Sequence, residues 1–429
     1  MELMLPKGMR DRDPAEKILQ LRVLDTIRTV FELYGYAPLE TPAVERMDVL
    51  TAKFAAGETA DVMKEIFQVS DQGDRELGLR YDHTVPLCRY VAMNPNVKLP
   101  FKRYSIGKVY RDGPIKLGRY REFWQADADI IGVPSPLADC EGVMVAAEVF
   151  RRLELDVVIK VGSREILNDL MAHVGLDQKY WSQATISLDK LAKIGAKEVL
   201  KEMTEAGVPA DSAKALLEVV SLEGSNEEKL EQLSAVLGDQ ESLSKMAEIL
   251  ELLSHLDVVE FDPTLARGLQ YYTGFIYECF LRDNQITSSL IGSGRYDEMI
   301  GQFLDGKQDF PAVGFSFGVS VICEALKEKG VEMPPSTTRA YVVAVSENER
   351  SYALELAHKL REAGINTDMD MLARGIGKCF AYADVQAIPY VVVVGEDEMA
   401  DGTATLKDMS SGVQQTMSFD ELMQRVQLP

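Results

Sequence analysis

The sequence predicts an α+β protein: an antiparallel sheet flanked by helices, interrupted by a helical insertion and followed by a separate C-terminal α/β module. Three observations predict it. Apolar and polar side chains alternate along several segments, the mark of antiparallel strands with one wet face. Over about residues 178–258 the alternation gives way to Leu, Ala, Glu and Lys at helical spacing. From Arg339 onward, strand and helix patterns take turns as in a βαβ unit.

The elements follow in order. Asp13-Pro14-Ala15-Glu16 reads as a helix start, with Asp as cap, Pro at the first helical position and Glu placed to close a capping box. Leu19, Val23, Ile27, Val30, Phe31 and Tyr34 then share one face until Gly35. Extended stretches come next: RELGLRYDHT (75–84), FKRYSIGKVYR (101–111), REFWQADADIIG (121–132), LDVVIKVG (155–162), TGFIYECFL (273–281) and AVGFSFG (312–318). The stretch KEKGVEMPPSTT (327–338) is polar and proline-bearing, as linkers are. Beyond it lie a strand RAYVVAV, a helix SYALELAHKLREAG, a strand INTDMDM, a helix GKCFAYADVQA, a strand PYVVVVG and strand signals near 404 and 415.

Composition sets limits. With 429 residues and 46% hydrophobic content the chain exceeds what one core organises, so at least two domains are expected. The five cysteines are scattered without a C-x-x-C pair, and the four histidines lack metal-ligand spacing, which fits a reducing compartment and no metal site. The N-terminus has no apolar signal core and runs such as YVVVV are too short to span a bilayer, so a cytoplasmic protein with no membrane partner is expected. A net charge of −22 excludes a general polyanion binder and requires any nucleic-acid contact to use local basic patches.

Several constellations carry chemistry. In RDGPIKLGRYREFWQADADIIG (111–132), Arg111, Lys116, Arg119 and Arg121 line a loop between two strands, where guanidinium forks suit phosphate oxygens; a solvated hairpin fits that loop equally well. Period-2 counting then puts Arg121, Phe123, Gln125, Asp127 and Asp129 on one face. Phe123 offers a flat ring to a base. Buried carboxylates need a cation or hydrogen-bond donors, so a small amino-bearing ligand satisfies that face, and so does pairing with nearby arginines. Asp82 and Thr84 in LRYDHT, Arg267 and the paired tyrosines in ARGLQYYTG, and the glycines of IGSGRYDEMIG add further groups, the last matching neither a Walker loop nor a Rossmann fingerprint.

Taken in order, these segments resemble the class II aminoacyl-tRNA synthetases, and specifically the histidyl-tRNA synthetase family, over nearly the whole chain. LPKGMRDRDP is similar to that family's opening, YGYAPLETPAVE resembles motif 1, and the 111–132 stretch resembles motif 2. ARGLQYYTG and GSGRYD resemble the two histidine signatures, PAVGFSFG the start of motif 3, and the terminal module the anticodon-binding domain. The resemblance implies a catalytic domain over residues 1–325 with the insertion inside it, a linker over 326–338 and an anticodon-binding domain over 339–429.

It further implies ATP-dependent activation of L-histidine and its transfer to tRNA(His) by a homodimer, with magnesium on the triphosphate. Arg111 and Arg119 would hold ATP phosphates and Phe123 would stack on adenine. Asp82, Thr84 and Gln125 would hold the α-amino end of histidine, and Asp129 with Tyr271 and Tyr272 its imidazole. Arg267, with Arg111, would stabilise charge as the carboxylate attacks the α-phosphorus.

The chain departs from the pattern at Gly113, where motif 2 has an acidic residue, at Gln270, which replaces an aspartate, and at Val321, where motif 3 ends in arginine. Losing one charge-assisted contact costs roughly 1.5–3 kcal/mol. The terminal module carries 8 Lys plus Arg against 14 Asp plus Glu from Arg339 onward, so anticodon contacts there would be focused ones. These departures keep open a catalytically silent, histidine-sensing subunit like the regulatory partner of ATP phosphoribosyltransferase, and a synthetase duplicate that charges another carrier. The complete terminal module favours the ligase.

Overall fold

The computed structural model describes residues 3–52, 63–115, 120–265, 272–282, 286–304, 306 and 308–427. The chain divides into two compact units, one comprising residues 1–10 and 22–330, the other 11–21 and 331–429.

The larger unit is built on a sheet of eight strands. In chain order its strands are β1 (Ala37–Pro38), then, after β2 (Val44–Arg46), β3 (Gln68–Ser70) and β4 (Glu76–Leu79) of a small separate sheet, β5 (Phe101–Tyr110), β6 (Glu122–Ile131), β7 (Val157–Ser163), β8 (Val259–Phe261), β9 (Phe275–Leu281), β10 (Ile291–Arg295) and β11 (Ala312–Gly318). They lie in the order β1-β5-β6-β11-β10-β9-β7-β8. The strands from β5 to β7 pair antiparallel, and one short parallel strand closes each edge.

Side-chain alternation divides this sheet into two unlike faces. On β11, Phe315 and Phe317 point to one side while Gly314, Ser316 and Gly318 occupy the other. The aromatic side is the core. Phe31 of the Pro14–Leu33 helix has its ring centroid 6.0 Å from that of Phe315, 5.8 Å from Phe317 and 5.4 Å from Tyr104. Phe150 of the Pro136–Arg152 helix meets Phe317 from the same side. The N-terminal helix starts as its sequence dictates, the Glu16 amide donating to Asp13 Oδ1 at 2.8 Å, and it ends before Gly35, whose φ of +78° suits glycine.

Between β7 and β8 the chain is helical, with helices Arg164–His173, Trp181–Leu188, Leu191–Glu205, Ala210–Val220, Asn226–Leu237 and Glu241–Leu252. Ser225 and Glu228 form a capping box at the Asn226 helix. Where the sequence suggested one extended run over 75–84, the strand ends at Leu79 and Thr84 opens the helix Thr84–Met93. Asp82 causes the change: its Oδ1 accepts from the Val85 amide at 3.0 Å, satisfying a donor that the first helical turn leaves free.

The second unit has strands β12 (Ala340–Ala344), β13 (Thr367–Met369), β14 (Tyr390–Val394), β15 (Thr403–Asp408) and β16 (Gln414–Ser418), in the order β13-β12-β14-β15-β16. The first three are parallel and the last two antiparallel. Alternate residues of β12 and β14 feed two cores. Val342, Val392 and Val394 pack with the helices Arg350–Glu362 and Phe419–Gln427, while Tyr341, Val343 and Val391 pack with Cys379 and Ala383. Among the described residues no helix is long and apolar enough to cross a membrane.

Phe31→Ala is expected to cost about 3–5 kcal/mol of the larger unit's stability, because the ring is fully buried among four other aromatics. A lower urea midpoint at unchanged slope would register it; a loss below about 1 kcal/mol would remove this ring from the core's main supports.

Candidate active site

The face of the sheet opposite the aromatic core is polar. Pairing sets Arg103, Ser105 and Gly107 of β5 beside Asp129, Asp127 and Gln125 of β6, which in turn face Gly314, Ser316 and Gly318 of β11. Phe123 continues this row. Arg103, Asp127 and Asp129 are 1%, 3% and 2% exposed, so this is a desolvated row rather than a wet one.

Asp129 is held from two sides. Arg103 Nη2 lies 2.5 Å from its Oδ2, an ion pair outside hydrogen-bond angles, and the Tyr296 hydroxyl donates to Oδ1. Burial pushes the Asp129 carboxyl above its usual range and the Asp82 charge adds to this, whereas Arg103 and Tyr296 pull it down. Gly314 opposite is required, since a Cβ there would stand 2.1 Å from Asp129 Oδ1. One strand further, Gly294 of β10 pairs with Gly314, and the ring of buried Tyr272 lies over it where a Cβ would come within 2.2 Å. A carboxylate and two phenol rings therefore converge on a floor of two glycines.

Asp127 differs. Ser316 Oγ donates to its Oδ1 at 2.5 Å, and the same oxygen accepts from Gln125 Nε2 at 2.8 Å. Burial raises the Asp127 carboxyl to about 7, against the pull of Ser316 and Arg103. Behind the row sits His83, fully buried, its ring driven down to about 3 by burial and by the neighbouring Arg80 and Arg103 charges, so it is neutral at physiological pH.

Several polar atoms of this cluster are buried without hydrogen-bond partners: both ring nitrogens of His83, Nε and Nη1 of Arg103 and Oε1 of Gln125, whereas Oδ2 of Asp129 has its ion pair with Arg103. Each such atom costs about 1–3 kcal/mol. Their concentration on one face makes that face the candidate site.

At the far end of β6 the cationic elements gather. Arg111 donates from Nε to the Tyr81 carbonyl at 3.0 Å, and its guanidinium carbon lies 5.2 Å from the centre of the Phe123 ring. Arg121 pairs with Asp112 at 2.5 Å, so the loop's own acid neutralises it, whereas Asp129 takes its partner from β5. A side chain at Gly113 would meet the Glu65 carboxylate at 2.8 Å; an acid from another segment fills that place. Val321 lies half-buried in the first turn of the helix Val319–Glu328 and brings no charge.

Of the residues singled out from the sequence, Asp82, Arg111, Phe123, Gln125, Asp129 and Tyr272 belong to this face or its rim, Thr84 opens the helix that follows Asp82, and Lys116 lies outside the described residues. Arg119, Arg267, Gln270 and Tyr271 lie outside the described residues. Arg103, Ser316 and Tyr296 were missed. Period-2 counting along FKRYSIG, GFSFG and GSGRYD would have found them, each sharing a strand face with a glycine two residues away or with another polar residue. The other charges of GSGRYD are structural: Arg295 binds Asp139 at 2.7 Å and Asp297 accepts from the Ala312 amide at 2.8 Å. Among the described residues no group of three or more His, Cys, Asp and Glu side chains is arranged to hold a metal ion.

Comparison with known proteins identifies the family. Residues 8–322 match the family model described as histidyl-tRNA synthetase, and residues 339–428 the anticodon binding domain. A relative from Bacillus cereus named histidine–tRNA ligase 1 is 37% identical, covering 96% of each chain. Another from Phocaeicola vulgatus, named histidine–tRNA ligase, is 38% identical and covers 98% of each. The crystal structure of histidyl-tRNA synthetase from Nostoc sp. PCC 7120 superposes with a TM-score of 0.88 at 30% identity, covering 99% of both chains. A structure titled as an ATP phosphoribosyltransferase regulatory subunit/histidyl-tRNA synthetase from Bacillus halodurans shares the fold, with a TM-score of 0.74 at 23% identity over 92% of this chain and 99% of that one.

The raised Asp127 carboxyl has a consequence for stability. Between its unfolded value of 3.8 and about 7 in the fold, the native state holds a proton that the unfolded chain has released, so stability falls as pH rises through that window. Asp127→Asn removes this slope. Relative to the unaltered protein the variant is expected to gain roughly 3 kcal/mol between pH 4 and pH 7. Urea unfolding at both pH values checks it, and a difference independent of pH would mean that Asp127 is ionised throughout.

Proposed function

Since the chain belongs to the histidyl-tRNA synthetase family, we propose that the desolvated face of its large sheet is the pocket in which L-histidine meets ATP. The protein is an aminoacyl-tRNA synthetase, a histidine–tRNA ligase that uses ATP to activate histidine and passes the histidyl group to tRNA. The regulatory reading is not favoured, because relatives named as ligases match over 96% or more of this chain.

The observation that carries the pocket assignment is the cluster of buried polar atoms without hydrogen-bond partners on Gln125, Arg103 and His83, beside Asp129. An amino acid with an imidazole side chain supplies what they lack. In our reading an imidazole N–H donates to Asp129, which Arg103 and Tyr296 orient, and the ring lies against Tyr272 with Tyr271 beside it. The α-ammonium group is taken by Gln125 Oε1, Asp82 and Thr84. Phe123 stacks on adenine, with Arg111 and Arg119 on phosphate oxygens.

The reaction then needs positioning and charge, not a protein nucleophile. A carboxylate oxygen of histidine forms a bond to the α-phosphorus, the bond from that phosphorus to pyrophosphate breaks, and histidyl-adenylate remains. Arg267 and Arg111 are assigned to the negative charge that develops on the phosphoryl oxygens. Magnesium enters on the triphosphate, bound to phosphate oxygens. A tRNA hydroxyl subsequently attacks the activated carbonyl and AMP leaves.

We also read residues 1–325 as the catalytic domain, with its helical insertion at about 178–258, 326–338 as a linker, and 339–429 as the domain that binds the anticodon of tRNA(His). The chain acts as a cytoplasmic homodimer in this reading, and the exposure of Leu33 and Val44 around the motif 1 segment supports a covered face there.

The test is exchange of labelled pyrophosphate into ATP. It is expected to depend on histidine, and Asp129→Asn is expected to raise the KM for histidine by roughly 10- to 100-fold while the KM for ATP stays within about twofold. Folded protein that catalyses no histidine-dependent exchange would sink the assignment. So would an Asp129→Asn variant with an unaltered histidine KM.

A further inference from the structure

We propose that Asp127 and Ser316 are positioning residues which decide which end of the Gln125 amide faces the amino acid, so that Oε1 accepts a hydrogen bond from the substrate's α-ammonium group. The proposal rests on the assignment of Gln125 to that end of histidine. It deepens it by naming what orients the amide.

The geometry forms a chain of three groups across two strands. Ser316 stands opposite Asp127 in the β6–β11 register, and Gly318 opposite Gln125, which leaves the glutamine side chain free to lean onto Ser316. A serine hydroxyl has one proton. While Asp127 is ionised it can only accept, so that proton goes to Asp127 Oδ1 and the serine oxygen must accept from Gln125 Nε2. The amide oxygen is what remains, and Oε1 is indeed buried with no partner. A flipped amide would set Oε1 against a serine oxygen whose proton is already committed, and would turn N–H groups toward an ammonium ion.

Proton uptake at Asp127 reverses the chain. A protonated carboxyl donates to Ser316, Ser316 then donates to Oε1, and the amide offers its N–H groups to the substrate. The charges around Asp127 are Arg103 from β5, Asp129 from its own strand, Asp82 from the segment preceding the Thr84–Met93 helix, and Arg80, which also senses Asp127; Ser105 is its neutral β5 neighbour. Burial outweighs the pull of Arg103, which puts the reversal near neutral pH.

The test compares L-histidine with 3-(imidazol-4-yl)propionate, which keeps the imidazole and carboxylate but lacks the amino group. The KM for histidine and the KI of the analogue are measured by pyrophosphate exchange on the full chain from pH 6 to pH 8, each corrected for its own imidazole titration, followed separately by NMR, because the α-ammonium group lowers the imidazole pKa of histidine relative to the analogue. In the unaltered protein the preference for histidine is expected to fall about tenfold from pH 8 to pH 6. Ser316→Ala is expected to lose a similar factor at pH 8 and to show no pH dependence, with ATP KM unchanged. Ser316→Thr, which keeps a hydroxyl, is expected to retain both.

A Ser316→Ala protein that keeps the preference and its pH dependence overturns the proposal. Gln125→Ala separates the two levels. If it leaves the preference intact, the assignment of Gln125 fails and the relay with it; if it abolishes the preference while Ser316→Ala does not, only the relay fails. Should Ser316→Ala not fold, a preference that stays flat from pH 6 to pH 8 in the unaltered protein overturns the proposal by itself.

Discussion

Desolvation of charge on one sheet face is the constraint that the rest of this structure answers to. Asp127 and Asp129 are sealed between β5 and β11, and Arg103 is sealed with them. An isolated carboxylate in that position would take up a proton or unfold its surroundings. Arg103 on β5, Tyr296 after β10 and Ser316 on β11 each supply a compensating contact, and each comes from a different strand or its end. The antiparallel register is what brings them level. A slip by one residue would turn every one of these side chains into the aromatic core and bring Phe315 and Phe317 onto the polar face.

The two faces of the sheet thus have opposite economies of structure. On one, Phe31, Phe150, Phe315 and Phe317 fill volume and bring stability by packing. On the other, Gly314 and Gly294 leave volume open, and Asp129 and Tyr272 lean into it. Binding energy on that face comes from groups left incompletely bonded by the fold. A ligand that donates to Gln125 Oε1 would gain a bond that the free protein lacks, which would couple stability to occupancy.

The two ends of the site are built differently. The end assigned to the amino acid stands on strands, whose pairing fixes positions closely. The end assigned to the nucleotide uses a loop, where Arg121 is occupied by Asp112 and where Glu65 crowds Gly113. Of the two unusual residues, Gly113 belongs to this second end, and Val321 stands at a helix start next to Gly318. Variation is accommodated there because loop and helix-start positions can draw compensating groups from elsewhere in the chain, whereas the strand face has neighbours fixed on both sides.

Much of this was readable from the sequence alone, because it depends on period and order. The amphipathic helix from Pro14, the alternating strands, the helical insertion and the βαβ module follow from local patterning, and the shared face of Phe123, Gln125, Asp127 and Asp129 follows from a period of two. Asp82 was singled out from the sequence as a candidate site residue, though not as the cap that turns Thr84 into the start of a helix. What the sequence could not decide was partnership. That Asp129 pairs with Arg103 rather than with the loop arginines, that Ser316 links Asp127 to Gln125, and that Tyr272 covers Gly294 all depend on strand order and register across nearly the whole catalytic unit. Side-chain type and spacing specify which groups share a strand face; only the folded sheet specifies which of them are close enough, and dry enough, to act on one another.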